Sequence, residues 1–331
     1  MAEWLYEEGI GEDRAILVEE GEILEALIEL PGALRAGAIV EGRLTSILVP
    51  GRRGVVALGP GSDGGGEALL EPLPPGLTEG ARLRVEITRE ALAEPGRPKR
   101  AKARASDAPP RPGPTLAERI GRCRRASPLP PDEFEDAGWS ELLEEAATGE
   151  IAFAGGGLRM NLTPAMTLFD VDGTLPPAAL AAAGAAAAGR AIRRLGIGGS
   201  IGIDLPTLGS RTERQAAAAA LDAVLPQPFE RTAVNGFGFL QLVRRRERAS
   251  LPETLQQDPV GAAARALLRR AERAGGAGER MLVAAPAVIA RLEQNPQWLE
   301  ALGRRTGAPA GLRADPRLAI SAGHVQSRFA P

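Results

Sequence analysis

Cysteine and histidine are almost missing from these 331 residues, with one of each, Cys123 and His324. A single cysteine excludes an intramolecular disulfide framework and any multi-cysteine zinc site. A single histidine leaves no basis for a His-based cluster, so zinc is not expected. Aromatic residues make up only 3% of the chain, and lysine occurs only at Lys99 and Lys102. A surface that grips unpaired bases usually carries more rings than this. Arginine supplies nearly all the positive charge, and a GC-rich genome is the simplest source of an arginine- and alanine-rich chain. The formal net charge is -2, from 40 basic and 42 acidic side chains. Any polyanion surface must therefore be a local patch. No apolar run reaches the roughly 18 residues of a membrane span, and no N-terminal signal pattern is visible. The expectation is a soluble, cytoplasmic protein with no membrane partner.

What is present is an ordinary globular mixture, 44% hydrophobic and 25% charged, enough for one large or two modest domains. Residues 14–29 read as a hairpin turning at Glu20 and Gly21. From Ala36 to about Thr88 come short strands, AIVEGRLTSILV, GVVALG, EALLEPL and ARLRVEITRE. They are parted by turns at Pro50-Gly51 and Gly64-Gly65-Gly66, a spacing that suggests a small barrel of the OB type. Residues 93–115 hold Pro95, Pro98, Pro109, Pro110, Pro112 and Pro114 among basic side chains, and read as a linker. Helices are predicted at 115–125 and 132–148.

Residues 150–250 carry the chemical signal. A hairpin turning at Gly155-Gly156-Gly157 leads into an apolar strand that delivers Asp170. An alanine-rich helix from Pro176-Pro177 to about Leu195 follows, then the strand SIGIDL ending at Asp204. A capping box of Ser210 and Glu213 opens a second helix, and Phe237–Val243 forms the next strand. This β-α-β-α-β order marks an α/β sheet. Asp170 and Asp172 are two apart on one strand, so both leave the same face. In open α/β sheets ligands gather at the carboxyl ends of strands, where Asp170 and Asp204 are predicted to fall. Hard oxygen donors converging there suit Mg²⁺, or Mn²⁺, with a substrate phosphate completing the shell. Beyond Pro259, two helices flank MLVAAP, and APAGLRA and LAISAG read as extended segments in a tail without a catalytic signature.

Two resemblances bear on function. Asp170, Asp172, Gly173 and Thr174 match the DxDGT signature of haloacid-dehalogenase-type phosphatases, in which the first aspartate is the nucleophile. A second covers roughly residues 10–255: LTPAMTLFDVDG, AIRRLGIGGSIGIDL and RTAVNGFGFLQLVRRRERASL, in that order, resemble the catalytic core of the ribonuclease E/G family. The N-terminal strands and the barrel-like segment resemble that family's opening strands and inserted OB-fold module. This second resemblance implies an α/β protein with a mixed-sheet, ribonuclease-H-like or deoxyribonuclease-like core and an inserted OB-fold β-barrel. It implies a metal-dependent endoribonuclease acting on single-stranded RNA in RNA processing or decay. Asp170 and Asp204 would hold Mg²⁺, with Asp172 supporting that catalytic site. Lys99, Arg100 and Lys102, and the run Arg244, Arg245 and Arg246, would contact RNA.

The domains expected on this basis are 1–35, N-terminal strands of the core; 36–107, the barrel; 108–149, linker and short helices; 150–255, the catalytic core; and 256–331, a small α/β unit. A homo-oligomer is left open. Several positions depart from the family pattern. Val56 and Leu69 stand where aromatic residues stack bases, Gly236 stands where arginine is common, and IDLPTL lacks a second acidic residue. The segment before the catalytic strand is too short for a 5′-end sensor, and Cys123 has no zinc-linking partner. The alternatives are a relative that binds RNA without cleaving it, and, third, a phosphatase.

Overall fold

The computed structural model describes residues 1–59, 66–93, 98–128, 130–275 and 278–328. Part of the expected glycine turn, Gly64 and Gly65, lies outside the described residues, as does Pro95. Strands β1 (Glu3–Glu8), β2 (Asp13–Glu19) and β3 (Glu22–Glu29) come first. Five barrel strands follow, β4 (Ile39–Val49), β5 (Arg53–Leu58), β6 (Glu67–Leu70), β7 (Arg82–Arg89) and β8 (Ala101–Ala105). Next are α1 (Leu116–Ile120), β9 (Arg124–Arg125), α2 (Glu133–Asp136) and α3 (Trp139–Thr148). The middle of the chain runs β10 (Glu150–Phe153), β11 (Gly156–Leu162), β12 (Thr167–Gly173), α4 (Pro177–Arg194) and β13 (Gly199–Asp204). It continues through α5 (Arg211–Val224), β14 (Glu230–Arg231) and β15 (Phe239–Arg244). Last come α6 (Leu251–Gln257), α7 (Pro259–Arg273), β16 (Glu279–Ala284), α8 (Pro286–Glu293), α9 (Pro296–Thr306), β17 (Ala310–Ala314) and β18 (His324–Arg328). None of the helices among the described residues is long and apolar enough to cross a membrane.

The chain forms two compact units, each built from separated stretches of sequence. One comprises Gly32–Gly121 and Thr148–Glu253; the other comprises Met1–Pro31, Arg122–Ala147 and Thr254–Pro331.

The first of these holds a closed five-stranded barrel in the order β4-β5-β6-β8-β7, an architecture consistent with an OB-like fold. Its core is aliphatic, with Leu44, Val56, Leu70, Val85 and Ile87 fully buried. The strand that closes it, β8, falls inside the stretch read as a linker. In AKARA, Ala101 and Ala103 are buried while Lys102 and Arg104 face outward. The prolines lie on either side of this run, so they bound the strand without breaking it. The same unit holds a six-stranded mixed sheet in the order β10-β11-β12-β13-β15-β14. Only β12 and β13 run parallel, joined through α4; the remaining pairs are antiparallel. Helix α4 presses on β12 so closely that a Cβ at Gly184 would lie 2.4 Å from Val171 Cγ1. The strand expected at Phe237–Val243 begins instead at Phe239, because Phe237 and Gly238 belong to a tight turn.

In the other unit, β1, β2 and β3 form a four-stranded sheet in the order β3-β2-β1-β9 rather than joining the six-stranded sheet. Residues Glu20 and Gly21, with φ of 52° and 85°, form the predicted hairpin turn. Strand β1 carries no alternation, since Leu5, Tyr6 and Glu7 are buried in succession, and its pattern does not announce a strand. The helix predicted at 115–125 stops at Ile120, because Gly121 turns the backbone to φ 68° and Arg124–Arg125 pairs with Leu5 and Tyr6. Similarly, Gly138 at φ 91° divides the 132–148 helix into α2 and α3. LAISAG contains a 3₁₀ turn, Ile320–Ala322, rather than an extended segment. His324 starts β18 and shares a side-chain hydrogen bond with Gln326.

Helix α7 carries Arg265, Arg269 and Arg273 at four-residue steps on one face. Arg265 meets Glu12 at 2.7 Å, and Arg269 meets Glu7 at 2.9 Å, Asp132 at 2.7 Å and Glu135 at 2.8 Å. Arg14, 1% exposed, joins Glu7 at 2.6 Å and Glu12 at 2.7 Å, and Arg273 also pairs with Glu7. Removing one member of a buried pair leaves uncompensated charge, at a cost of about 3–5 kcal/mol. Arg269→Met is expected to lower stability on that scale in denaturant unfolding. Glu300→Ala, which breaks the exposed 3.9 Å pair with Arg304, should change it by less than about 0.5 kcal/mol.

Burial pushes the Glu7 carboxyl up, but Arg14, Arg269 and Arg273 outweigh burial and hold it below its ordinary value of 4.5. A depressed carboxylate stabilises the fold above its unfolded value and loses that contribution as pH falls through the folded value. Unfolding followed by hydrogen exchange in α7 should show protection falling below about pH 4.5, more steeply in the wild type than in Glu7→Gln.

Candidate functional site

Strand β12 alternates cleanly: Thr167, Phe169 and Val171 are buried, while Asp170 and Asp172 are exposed. Because Val171 packs under α4, both aspartates stand on the opposite, open face of the sheet. Strand register then does what sequence spacing cannot. Asp170 is the direct partner of Asp204 across the parallel β12–β13 pair, so the two carboxylates rise from neighbouring strands about 4.8 Å apart.

The same register carries on in both directions. Arg159 of β11 stands opposite Asp170, and Glu150 of β10 opposite Arg159. Phe239 of β15 stands opposite Asp204. One row across five strands therefore reads Glu150, Arg159, Asp170, Asp204, Phe239. Arg159 Nε donates to Glu150 Oε1 at 3.0 Å. Its guanidinium is held above its ordinary value first by that bond and the Glu150 charge, then by the fields of Asp170 and Asp172. The next row is made by Asn161, Leu168, Gly202 and Gln241. Gly202 has to be small, since a Cβ there would lie 2.5 Å from Phe239 Cζ and 2.8 Å from Leu168 Cδ2. The Phe239 ring thus covers Gly202 and forms an apolar floor beside Asp204.

Among the described residues, the carboxylates of Asp170, Asp172 and Asp204 take part in no ion pair or hydrogen bond. Like charges placed directly across two strands destabilise a sheet by a few tenths to about 1 kcal/mol. Arg159 offsets only part of this charge. Among the described residues, no group of three or more His, Cys, Asp or Glu side chains is gathered to hold a metal ion. Asp172, which pairs with Gly157 further along β12, does not converge with the other two. The donor set is therefore the pair Asp170 and Asp204. Two carboxylates suit Mg²⁺, which keeps several waters and commonly takes further oxygens from a substrate phosphate.

The expected basic contacts are distributed differently. Lys99 Nζ donates to the Pro164 carbonyl at 3.2 Å, which ties the end of the barrel to the loop leading into β12. Arg100 pairs with Glu67 at 2.7 Å and Lys102 with Glu71 at 3.3 Å, both on the barrel. Arg244 stands opposite Gly199, the far end of β13 from Asp204, roughly 17 Å away along the strands. Arg244 Nη1 donates to the Ile197 carbonyl at 3.4 Å, Arg245 meets Glu247 at 2.9 Å, and Arg246 is bound to Glu253. The aspartates are brought together; the two basic groups lie elsewhere, engaged with neighbouring acids and carbonyls.

Sequence reading missed Arg159, Glu150 and Phe239. The local signal exists, since LRMN alternates buried Leu158 and Met160 with exposed Arg159 and Asn161. Their meeting with Asp170 depends on cross-strand register, which spacing along the chain does not reveal. No protein-family model matches the chain, and no curated protein is significantly similar to it.

Proposed function

We propose that this protein is a divalent-metal-dependent endoribonuclease that hydrolyses phosphodiester bonds of single-stranded RNA at the open face around Asp170 and Asp204. The observation that carries this reading is the side-by-side register of the two aspartates, unpaired and exposed, beside an arginine. The resemblance to the ribonuclease E/G family supplies the substrate class. Asp170 and Asp204 would hold Mg²⁺, whose chemistry is to polarise a phosphoryl oxygen and lower the pKa of an attacking water. The chain's own groups do the rest. Asp172, exposed on the same face of β12, orients water and substrate hydroxyls. Arg159, held by Glu150 at one side of Asp170, offers a planar donor to a phosphate oxygen. An extended single strand would lie across the open sheet face. The closed barrel contributes a second surface, on which Arg100 and Lys102 exchange Glu67 and Glu71 for phosphate.

Incubation of 5′-labelled single-stranded RNA with Mg²⁺ should give internal cleavage by the wild type. Asp170→Asn and Asp204→Asn should each lower the rate by about 100-fold or more, the scale of losing one preorganised charge at a reacting phosphate. Both variants should melt at or slightly above the wild-type temperature, because removing either charge relieves the repulsion between them. Undiminished cleavage in either variant, or hydrolysis only of small phosphate esters, contradicts the proposal.

Arg159→Ala should weaken RNA binding and flatten the dependence of log affinity on log salt by about 0.7, one phosphate contact on a single strand. An unchanged slope removes Arg159 from the binding surface.

A further inference from the structure

Phe237 is 83% exposed, the one aromatic side chain among the described residues left in water. Of the other described rings, Phe134, Phe169, Trp139 and Tyr6 are buried and the rest are half-buried. An exposed ring on a loose loop would need no explanation, but this turn is tightly held. Asn235 Oδ1 accepts from the Phe237 N–H at 2.9 Å and from the Phe239 N–H at 3.0 Å. The Asn235 N–H donates to the Phe239 carbonyl at 3.0 Å, and the Gly238 N–H donates to the Asn235 carbonyl at 3.2 Å. Gly238 has φ of 94°, and a Cβ there would lie 2.2 Å from the Leu205 carbonyl oxygen. The Leu205 N–H in turn donates to the Gly238 carbonyl at 3.2 Å. The turn is thus fastened to the residue that follows Asp204, and Phe239, two residues on, is the direct partner of Asp204.

A rigid, uncharged π-face presented to water beside a pair of carboxylates fits a planar ligand that brings its own negative charge only through its backbone. We propose that Phe237 is a nucleobase-stacking platform, seating one unpaired base of the RNA strand next to the phosphate held at Asp170 and Asp204. This placement beside the cleaved bond rests on the nuclease reading above. Stacking tolerates any base because each has a π-face. It also offsets the aliphatic barrel, where Val56 is buried in the core and the sequence from 36 to 107 contains no aromatic residue. Phe239 does not share this role, since its ring is committed to Gly202. Phe237 therefore binds and orients the strand without taking part in the chemistry.

The test is fluorescence anisotropy with a labelled single-stranded oligoribonucleotide in EDTA, so that binding is read without metal or cleavage. Phe237→Ala should weaken affinity about tenfold, the order expected for one stacked base. Phe237→Trp should restore it, and Phe237→Leu should not. The salt slope and melting temperature should stay at wild-type values, since no phosphate contact or core packing is lost. In a series of oligonucleotides with a single abasic site, the wild type and Phe237→Ala should become indistinguishable at one position only. Equal affinity of wild type and Phe237→Ala overturns the platform, as does full rescue by leucine. The same proteins with Mg²⁺ report separately on the nuclease reading. Cleavage that depends on Asp170 and Asp204, with no binding defect in Phe237→Ala, overturns the platform alone. A tenfold binding defect with no metal-dependent cleavage overturns the nuclease reading while stacking stands.

Discussion

Two carboxylates side by side on adjacent parallel strands are the constraint on which the open sheet face turns. Asp170 and Asp204 are direct partners in the only parallel pair of a six-stranded sheet, and that parallel pairing requires the α4 crossover. The crossover is made possible by small residues: Gly184 admits Val171 beneath the helix, and Gly189 brings α4 against Leu221 and Val224 of α5. Helices cover one face, and the face left open holds the acids. A sheet would ordinarily separate like charges or place a cation between them. Here the cation opposite Asp170, Arg159, is shared with Glu150, and the charge left over is what the proposed divalent ion would neutralise.

On the proposed reading, the rest of this unit would bear on substrate handling rather than on bond cleavage. The barrel is closed and aliphatic inside, and the cations outside it are matched by acids such as Glu67 and Glu71. Exposed ion pairs of this kind contribute little to stability, so a phosphate backbone can displace them at small cost. Lys99 reaches Pro164, so barrel and sheet are linked close to the start of β12. On the sheet itself the neutral surfaces are Phe239 over Gly202 and the turn that holds up Phe237. On the proposed reading, recognition there would rest on stacking and backbone charge.

Much of the fold was legible locally. Alternation in LFDVDG and SIGIDL, the capping box of Ser210 and Glu213, and the Glu20-Gly21 turn each express short-range chemistry, and each appears in the structure. The misses have physical reasons. β8 hid among prolines that merely bracket it, and β1 buries three residues in a row, one of them Glu7. Phe237 continues the apolar run of the strand in sequence, but Gly238 takes a positive φ against Leu205 and turns the chain there. The arginines of α7 showed helical spacing, but their partners Glu12 and Glu7 lie 253 and 262 positions away. At the site, the identity of the aspartates was readable while the row through Glu150, Arg159 and Phe239 was not, because register is a property of strand pairs.

The most direct test of a shared cation site is a crystal grown with Mn²⁺ and measured at the manganese absorption edge. An anomalous peak bonded to both Asp170 and Asp204 carboxylates, at the roughly 2.0–2.2 Å of a hard-cation oxygen bond, with Asp172 outside bonding distance, is the result expected. A peak elsewhere, or Asp170 and Asp204 turned apart with neither touching manganese, would contradict it.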